Sequence, residues 1–300
     1  MPNIFRAAAD AWISRNARPL PEALAAVASL GPATVVTGSS RGIGLAIARR
    51  FAEAGSGVAL IARERGPLEE AAAAITRDFG VKAVPIAIDV TAADAPRTID
   101  ASLASHGLYM DCLVNNAGIG LSGPFHAHEP RDIDQLVALN VASLARLMHH
   151  ALEPMCARGR GGILNVASLG GYAPGPYQAA YYASKSFVIS LTQAVAHEVR
   201  GQGVRIAVVA PGPVETTFHA DMRAETALYR LLVPSSTPEE VARSAYRGFM
   251  AGRRVIVPGI LGTISSYVLR VLPHPIGVPL VGALLNPVRG KSVVDARRDD

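Results

Sequence analysis

Two adjacent tyrosines stand just before a lysine in the segment YYASKSFVIS, residues 181–190. Residues four apart share one face of a helix, so Tyr181 and Lys185 should be neighbours while Tyr182 points about 100° away. A nearby ammonium favours the phenolate and lowers the pKa of a phenol from about 10, which eases proton exchange with a carbonyl or alcohol. The pair therefore predicts a proton donor at Tyr181.

Two further polar residues stand where they could assist that donor. Ser168 ends the apolar run GGILNVAS, where a hydroxyl could donate a hydrogen bond to a substrate oxygen that gains charge. Asn140 lies inside a predicted helix, although asparagine is an indifferent helix former. Taken singly, Ser168 could cap a turn and Asn140 could be an exposed helical position. Tyr181 could equally be a core aromatic, and Lys185 a solvated charge.

A glycine-rich turn lies near the beginning of the chain, in VVTGSSRGIGLAIARRF, with Gly38, Gly42 and Gly44. Glycines permit a sharp turn, close approach of a pyrophosphate to the backbone, and close packing of the next helix, whose N-terminus attracts anions. An ordinary tight turn between a strand and a helix would also contain glycine. Its place after the first strand favours a dinucleotide phosphate site.

The elements that must position these residues alternate along the chain. Apolar runs lie at 33–37, 57–62, 83–89, 111–116, 161–168, 204–210 and 254–258, and stretches with helical spacing include 42–54, 67–79, 130–158 and 179–200. Most runs are continuously apolar, as in strands covered by helices on both faces. The pattern predicts one α/β domain with a doubly wound parallel sheet over 33–258. Residues 1–32 form an N-terminal extension, and 259–300 form an apolar tail.

Several motifs occur in the order typical of one family. TGxxxGxG ends at Gly44, NNAG covers 115–118, Ser168 precedes the tyrosine and lysine, and PGPVETTF covers 211–218. Together they resemble the short-chain dehydrogenase/reductase family over residues 33–258. The resemblance implies a Rossmann-like domain with a seven-stranded parallel sheet flanked by helices.

The same resemblance implies a catalytic tetrad of Asn140, Ser168, Tyr181 and Lys185. In it Tyr181 supplies the proton, and Lys185 lowers the pKa of Tyr181 and holds the cofactor ribose. Ser168 binds the carbonyl oxygen, and Asn140 supports a water that leads to solvent. The implied cofactor contacts are Gly38, Ser40, Arg41, Gly42, Ile43, Gly44, Arg63, Asp89, Val90, Asn116, Ala117, Gly118, Tyr181, Lys185, Pro211, Gly212, Val214 and Thr216.

The end of the second strand bears on which nicotinamide cofactor is used. An acid there would bind the ribose 2′-hydroxyl of NAD, but Ala62 stands in that place and Arg63 follows it. Arg41 lies inside the glycine turn. Two guanidinium groups would form charge-assisted hydrogen bonds to a 2′-phosphate, which favours NADP(H) over NAD. Both arginines could instead be solvated surface charges.

Composition excludes several other classes of protein. The net charge of +5 comes from scattered arginines without a long basic run, so no nucleic-acid partner is predicted. Cys112 and Cys156 suit free thiols in a reducing compartment. The first 32 residues lack the apolar core of a signal peptide. No metal site is predicted. We therefore expect a cytoplasmic protein.

The apolar tail raises the possibility of a membrane segment. Residues 255–288 are largely apolar, but Arg270 and five prolines interrupt any helix of about 20 residues that could span a bilayer. We expect the tail to cover the pocket or a subunit interface. A contact between the tail and a membrane surface is the less favoured alternative.

The resemblance to this family implies an oxidoreductase that transfers a hydride between NADP(H) and a carbonyl or secondary alcohol. The expected reaction is reduction of a hydrophobic ketone, such as a 3-oxoacyl, steroid-like or aryl ketone. The predicted substrate surface comprises Ile119 to Phe125, Leu169 to Tyr177, and 217–236. The helices at 130–158 and 179–200 resemble those through which this family pairs its subunits, so a homodimer or homotetramer is expected. The alternatives are a catalytically silent NADP(H)-sensing protein and a reductase attached to a membrane surface.

Overall fold

Seven parallel strands form the central sheet of this computed structural model, which describes residues 4–218, 222 and 234–286. The strands are β1 Gly31–Thr37, β2 Gly57–Ala62, β3 Ala83–Ala87, β4 Leu108–Asn115, β5 Gly161–Val166, β6 Val204–Val209 and β7 Val255–Ile256, in the order β3-β2-β1-β4-β5-β6-β7. The predicted doubly wound parallel sheet is confirmed. Its strand order reverses between β1 and β4, where open α/β sheets bind ligands.

Helices cover both faces of this sheet. In chain order the helices of the described residues are α1 Ile4–Ile13, α2 Pro21–Ala25, α3 Gly42–Glu53, α4 Arg65–Phe79, α5 Ala95–Ser105, α6 Pro130–Val137, α7 Leu144–Arg158, α8 Ala179–Glu198, α9 Pro238–Met250, α10 Ile260–Val271 and α11 His274–Leu285. Ile47 and Phe249 belong to the buried cluster on one face of the sheet, and Leu103 and Leu147 belong to the cluster on the other. Burial on both faces explains why the strand sequences are continuously apolar.

The predicted helix over 130–158 is continuous, but it is not α-helical throughout. A π-helical segment, Ala138–Ser143, separates α6 from α7. Within it the Ser143 hydroxyl donates to the Leu139 carbonyl oxygen at 2.6 Å, and Asn140 is buried. Wide turns of this kind occur frequently at functional sites. Here the wide turn brings Asn140 against the chain that leaves β4.

Five of the strands end one or two residues earlier than the sequence pattern predicted. β3 ends at Ala87 rather than at residue 89, and β5 ends at Val166 rather than at residue 168. Asp89 and Ser168 therefore belong to the loops that follow the strands. Loops at the carboxyl edge of a parallel sheet supply the ligand-binding groups in this architecture.

The N-terminal extension is fastened at the opposite edge of the sheet. Asp10 forms an ion pair with Arg205 at the beginning of β6. The backbone N–H of Asn16 donates to the Gly201 carbonyl at 2.8 Å, and that of Leu20 donates to the Ala157 carbonyl at 2.8 Å. These partners precede β5 and β6, so the extension lies beside the amino ends of the strands.

The tail forms two helices after β7. α10 packs against the short 3₁₀ helix Leu169–Tyr172, and the Arg270 guanidinium lies 4.2 Å from the centre of the Tyr172 ring. α11 buries Val281 and Leu285. Across the part of the chain that the structure describes, no helix combines the length and apolar character needed to cross a membrane.

Candidate active site

A cavity of about 1250 Å³ opens at the carboxyl edge of the sheet. Residues that follow each of β1 to β6 line it, together with side chains of α10 and α11. One side, which we call the cofactor side, consists of the segments 38–43, 62–64, 88–91 and 116–118. The other, the tail side, contains Phe218, Met222 and residues of α10 and α11.

The glycine turn between β1 and α3 forms the floor of the cofactor side. Gly38 and Gly42 have φ angles of +64° and +59°, which side-chain-bearing residues rarely adopt. A Cβ on Gly44 would lie 2.3 Å from the Gly38 carbonyl oxygen, so Gly44 lets α3 pack closely behind the turn. The first residues of α3 therefore face the cavity, as a site for a pyrophosphate requires.

Asn116 joins the ends of β1 and β4 at the point where the strand order reverses. Its Nδ2 donates to the carbonyl oxygens of Thr37 and Gly38 at 3.0 and 2.9 Å. The Thr37 hydroxyl in turn accepts the backbone N–H groups of Asn116 and Ala117, each at 3.0 Å. These bonds hold the glycine turn against the NNAG segment. The floor of the cofactor side is therefore rigid before any ligand binds.

Two arginines and one aspartate line the outer end of the cofactor side. Arg41 and Arg63 are exposed and border the cavity, as does Glu64. The Asp89 carboxylate accepts the Thr91 backbone N–H at 2.9 Å and the Thr91 hydroxyl at 2.8 Å. The backbone bond first, then the hydroxyl and the charge of Arg63, hold the pKa of Asp89 below its usual value. This end of the cavity combines two cations with groups that could bind an adenosine ribose.

Lys185 is a buried amine at the centre of the cavity wall. Its Nζ donates to the Val166 carbonyl oxygen at 3.0 Å, and only 5% of the residue is exposed. Burial lowers the pKa of Lys185 from its usual value to about 8. The Nζ lies 5.7 Å from the centre of the Tyr181 ring, so the predicted neighbours do share a face. A charge at this distance favours ionisation of the phenol.

The two tyrosines have different surroundings. Tyr182 packs against the glycine-rich segment after β5: a Cβ on Gly175 would lie 2.3 Å from its Cγ, and one on Gly170 2.9 Å from its Cζ. The Tyr181 ring lies 5.6 Å from the Phe218 ring and close to Lys185. Tyr181 is therefore the tyrosine placed between the lysine and the tail side.

Ser168 and Asn140 occupy different positions relative to the cavity. Ser168 lines it, and the Ser168 hydroxyl accepts the Gly170 backbone N–H at 3.1 Å. Asn140 lies behind the wall. Its Oδ1 accepts the Ile119 N–H at 2.9 Å, while its Nδ2 donates to the Ile119 carbonyl at 2.8 Å and to the Ser184 hydroxyl at 3.1 Å. These contacts position the chain after β4, and the water-supporting role of Asn140 stays a prediction.

The loop after β6 completes the wall between the two sides. Pro211, Gly212, Val214 and Thr216 all line the cavity. The Pro211 carbonyl accepts the Leu169 backbone N–H at 2.9 Å, which ties this loop to the end of β5. A Cβ on Gly42 would lie 3.3 Å from Thr216 Cγ2, so the loop also meets the glycine turn.

The structure thus brings nearly all predicted site residues to one cavity. Those that line it are Gly38, Ser40, Arg41, Gly42, Ile43, Arg63, Asp89, Val90, Asn116, Ala117, Gly118, Ser168, Tyr181, Lys185, Pro211, Gly212, Val214 and Thr216. Gly44 and Asn140 lie behind it. No cluster of His, Cys, Asp or Glu suited to a metal ion occurs within the described residues.

The predicted substrate surface is too broad in two places. Only Ile119 and Gly120 of the first segment and Leu169 and Gly170 of the second line the cavity. In the third segment Thr217, Phe218 and Met222 line it, whereas residues 219–221 and 223–233 lie outside the described part of the chain.

The tail supplies lining that the sequence did not assign to individual residues. Six of its apolar residues line the cavity: Ile264, Val268, Leu269, Val281, Leu284 and Leu285. The sequence could have indicated these residues by their spacing of three or four positions along each helix. Several apolar stripes of the tail have that spacing, however, so the spacing did not single out the lining residues. α6 also contributes lining, including Asp134 and Gln135, which the sequence analysis did not select.

Comparison with known proteins gives consistent matches. The family model of short chain dehydrogenases matches residues 32–227. A short chain dehydrogenase of Pseudocercospora fijiensis is 36% identical over 63% of this chain, and the match spans 62% of that protein, less than two thirds of its length.

Two further matches span a larger share of the protein to which this chain is compared. The human very-long-chain 3-oxoacyl-CoA reductase is 31% identical over 79% of this chain and 75% of its own. Among solved structures, a short-chain dehydrogenase from Sphingobium yanoikuyae in complex with NADPH superposes with a TM-score of 0.70. It is 28% identical and covers 76% of this chain and 88% of its own.

Proposed function

The chain belongs to the short-chain dehydrogenase family, and on that premise we propose that it is an NADPH-dependent reductase of hydrophobic ketones. The observation that carries this proposal is the convergence of Ser168, Tyr181 and Lys185 on one cavity with the glycine turn. A polar proton-donating group and a dinucleotide cradle thus border the same space. That arrangement is what carbonyl reduction requires.

The residues of this chain have distinct tasks in the proposed reaction. NADPH supplies the hydride that forms the new C–H bond at the carbonyl carbon. Ser168 lines the cavity beside Tyr181 and donates a hydrogen bond to the carbonyl oxygen as negative charge develops there. Tyr181 transfers its phenolic proton to that oxygen, which completes the alcohol.

Lys185 makes this proton transfer easier near neutral pH. Its ammonium stabilises the phenolate that Tyr181 becomes after donating the proton. Because Nζ already donates to the Val166 carbonyl, the ammonium keeps a fixed direction and retains further N–H groups for the ribose of the cofactor. We infer that Tyr181 regains its proton from solvent before the next turnover.

NADPH rather than NADH is the proposed cofactor. Arg41 and Arg63 border the outer end of the cavity, and charge-assisted bonds from guanidinium groups to a phosphate are among the stronger polar interactions. The relative from Sphingobium yanoikuyae binds NADPH. Cells keep NADPH mostly reduced for biosynthesis, so we propose that reduction of the ketone is the physiological direction.

A ketone with a long apolar portion is the proposed substrate, with a 3-oxoacyl thioester as the favoured class. The tail side presents apolar residues of α10 and α11 to the cavity, together with Phe218 and Met222. An acyl chain in contact with them would remove apolar surface from water, and this burial would favour binding by about 25 cal/mol per Å². The human relative is named for reduction of very-long-chain 3-oxoacyl-CoA.

Assembly and compartment are further parts of the proposal. α6, α7 and α8 are proposed to pair subunits in a homodimer or homotetramer, and Val137 and Phe187 are exposed apolar residues on α6 and α8.

Cys112 and Cys156 are free, and burial raises the pKa of both thiols. Unreactive free thiols suit the cytoplasm, which we propose as the compartment.

The competing function is an NADP(H) sensor that does not turn over. Purified protein is mixed with NADPH and a panel of 3-oxoacyl thioesters, steroid ketones and aryl ketones, and the loss of NADPH absorbance is followed. We expect oxidation of NADPH with the long-chain 3-oxoacyl thioesters and much slower oxidation with short ketones. Tight binding of NADPH without turnover on any member of the panel would favour the sensor.

A further inference from the structure

The tail helix α10 has an apolar outer face. Its large side chains that remain exposed are Ile260, Leu261, Ile264, Tyr267, Val268 and Val271. They recur three or four residues apart and therefore form a single stripe along the helix. We call these six residues the outer stripe. Ile260 and Val271, at its two ends, are 81% and 78% exposed.

The polar side chains of α10 lie outside the outer stripe, although Ser265 and Arg270 are themselves exposed. Ser266 is buried and donates to the Thr263 carbonyl at 2.7 Å, and the Thr263 hydroxyl donates to the Gly259 carbonyl at 2.9 Å. Arg270 lies over the Tyr172 ring. Ser265, the remaining polar residue, lines the cavity. A surface helix normally has the reverse arrangement, with its apolar stripe toward the core and its polar residues in water.

α11 extends the apolar surface. Ile276 and Leu280 are 60% and 52% exposed, while Val281 and Leu285 on its other face are buried. The two tail helices therefore contribute eight exposed large hydrophobic side chains to a short part of the chain. Such a concentration marks a surface that contacts another apolar phase or molecule.

The charges of the tail indicate which partner covers this surface. Residues 259–286 contain no aspartate, glutamate or lysine, and their single arginine is Arg270. Arg253 and Arg254 precede the tail, and the four basic residues of 287–300 outnumber its three aspartates by one. An apolar surface that is free of acidic residues and flanked by a net excess of cations is complementary to an anionic lipid bilayer. The exposed Tyr267 is also a residue type enriched where protein meets the headgroup region.

We propose that the outer stripe, with Ile276 and Leu280 of α11, docks on the surface of an anionic lipid bilayer. Each tail helix has 12 residues, which corresponds to about 18 Å against a hydrocarbon core of about 30 Å. The helices therefore lie on the bilayer and do not span it. A second copy of the chain on this face would cover Ile264 and Val268, which border the cavity, and would obstruct the approach of substrate.

If the proposed function holds, docking in this orientation also determines how a membrane-dissolved substrate reaches the cavity. Ile264 and Val268 are at once half-exposed members of the outer stripe and residues of the cavity wall. In the docked orientation these two residues of the cavity wall therefore face the bilayer. A long-chain ketone dissolved in the membrane reaches the cavity without crossing water.

Vesicle binding by the full chain tests the docking without any assay of activity. The protein is sedimented with vesicles of phosphatidylcholine and phosphatidylglycerol, and separately with vesicles of phosphatidylcholine alone. The test variant is Ile260→Ser with Val271→Ser. Its matched control is Leu20→Ser with Leu24→Ser, which removes two side chains of 47% exposure from the N-terminal extension.

We expect wild type and control to bind the anionic vesicles, and all proteins to bind the uncharged vesicles more weakly. The test variant should bind the anionic vesicles at least about tenfold less, because each removed side chain loses its apolar burial in the bilayer. Absence of wild-type binding, or equal binding by the test and control variants, would overturn the proposal. So would light scattering that shows the test variant splitting an oligomer, because a second copy would then be the occupant.

Discussion

The cofactor side of the cavity is held by hydrogen bonds between strand ends, whereas the tail side is bounded by apolar side chains on helices outside the sheet. On the cofactor side, Asn116 and Thr37 fasten the glycine turn through four bonds of about 3.0 Å. On the tail side, Leu269 and Leu284 can make only van der Waals contacts with a ligand. The first arrangement recognises a particular anion, and the second recognises size and apolarity. Cofactor identity should therefore depend on single residues, and substrate choice on many.

The largest expected effect lies where the two sides meet, at Tyr181. Tyr181→Phe removes the transferable proton and leaves the ring contact with Phe218 in place. Turnover should fall by about a thousandfold while the Kd for NADPH changes by less than about threefold, because the other predicted cofactor contacts are intact. Steady-state kinetics and fluorescence titration of NADPH measure the two quantities. If Tyr182→Phe, the adjacent control, loses turnover instead, the assignment of the proton donor is wrong.

The second effect concerns the buried amine beside that tyrosine. In the folded protein the pKa of Lys185 is about 8, below its ordinary value of 10.5. Between these two pH values the unfolded chain binds more protons, so the free energy of unfolding should rise with pH. The rise is about 3 kcal/mol for the apo protein.

Denaturant titrations of wild type and Lys185→Met at pH 8 and pH 10 isolate that contribution, because other titrating groups are common to both proteins. Wild type should gain stability relative to the variant as the pH rises. A constant difference between the two proteins would mean that Lys185 is better solvated than its burial indicates.

The third effect addresses the chemical selectivity of the cofactor side. Arg63→Asp places a carboxylate where a 2′-phosphate is proposed to bind and where a 2′-hydroxyl could donate to it. The ratio of kcat/KM for NADPH to that for NADH should fall by about a hundredfold. An unchanged ratio would mean that Arg63 is a solvated surface charge that does not contact the cofactor. Arg41 would then be the remaining candidate for binding the 2′-phosphate.

The smallest effect should come from a single residue of the tail side. Leu284→Ala removes part of the cavity wall, and we expect KM for a long-chain ketone to rise by about threefold to tenfold. The kcat with a short ketone should change little, because its contacts do not reach α11. Leu24→Ala, on the N-terminal extension, is the matched control. Equal effects on long and short ketones would argue that the tail stabilises the fold rather than the substrate.

The same contrast explains what could be predicted from the sequence. The strands, the glycine turn and the residues of the cofactor side follow from local patterns, because each motif directly succeeds a strand and parallel strands share one carboxyl edge. The parallel sheet and the family were confirmed in this way. Tyr181 could be distinguished from Tyr182 because helical spacing alone determines which one faces Lys185.

The remaining features depend on tertiary packing that no local pattern contains. The wide turn around Asn140 looks like ordinary helix in the sequence, since its residues are compatible with both forms. Residues 121–125 and 171–177 do not line the cavity, and the sequence pattern could not distinguish them from the residues that do. In the tail, several stripes were apolar, so the sequence could not show which one would line the cavity and which one would face outward.

The most direct test of the proposed reaction follows the hydride itself. Wild-type protein is incubated with a long-chain 3-oxoacyl thioester and NADPH deuterated at the transferred position of nicotinamide C4, and the product is analysed by mass spectrometry. We predict a 3-hydroxyacyl thioester with one deuterium on the former carbonyl carbon, and about a thousandfold less of it from Tyr181→Phe in the same time. Recovery of unreduced thioester with the wild-type protein, although NADPH binds, would contradict the account.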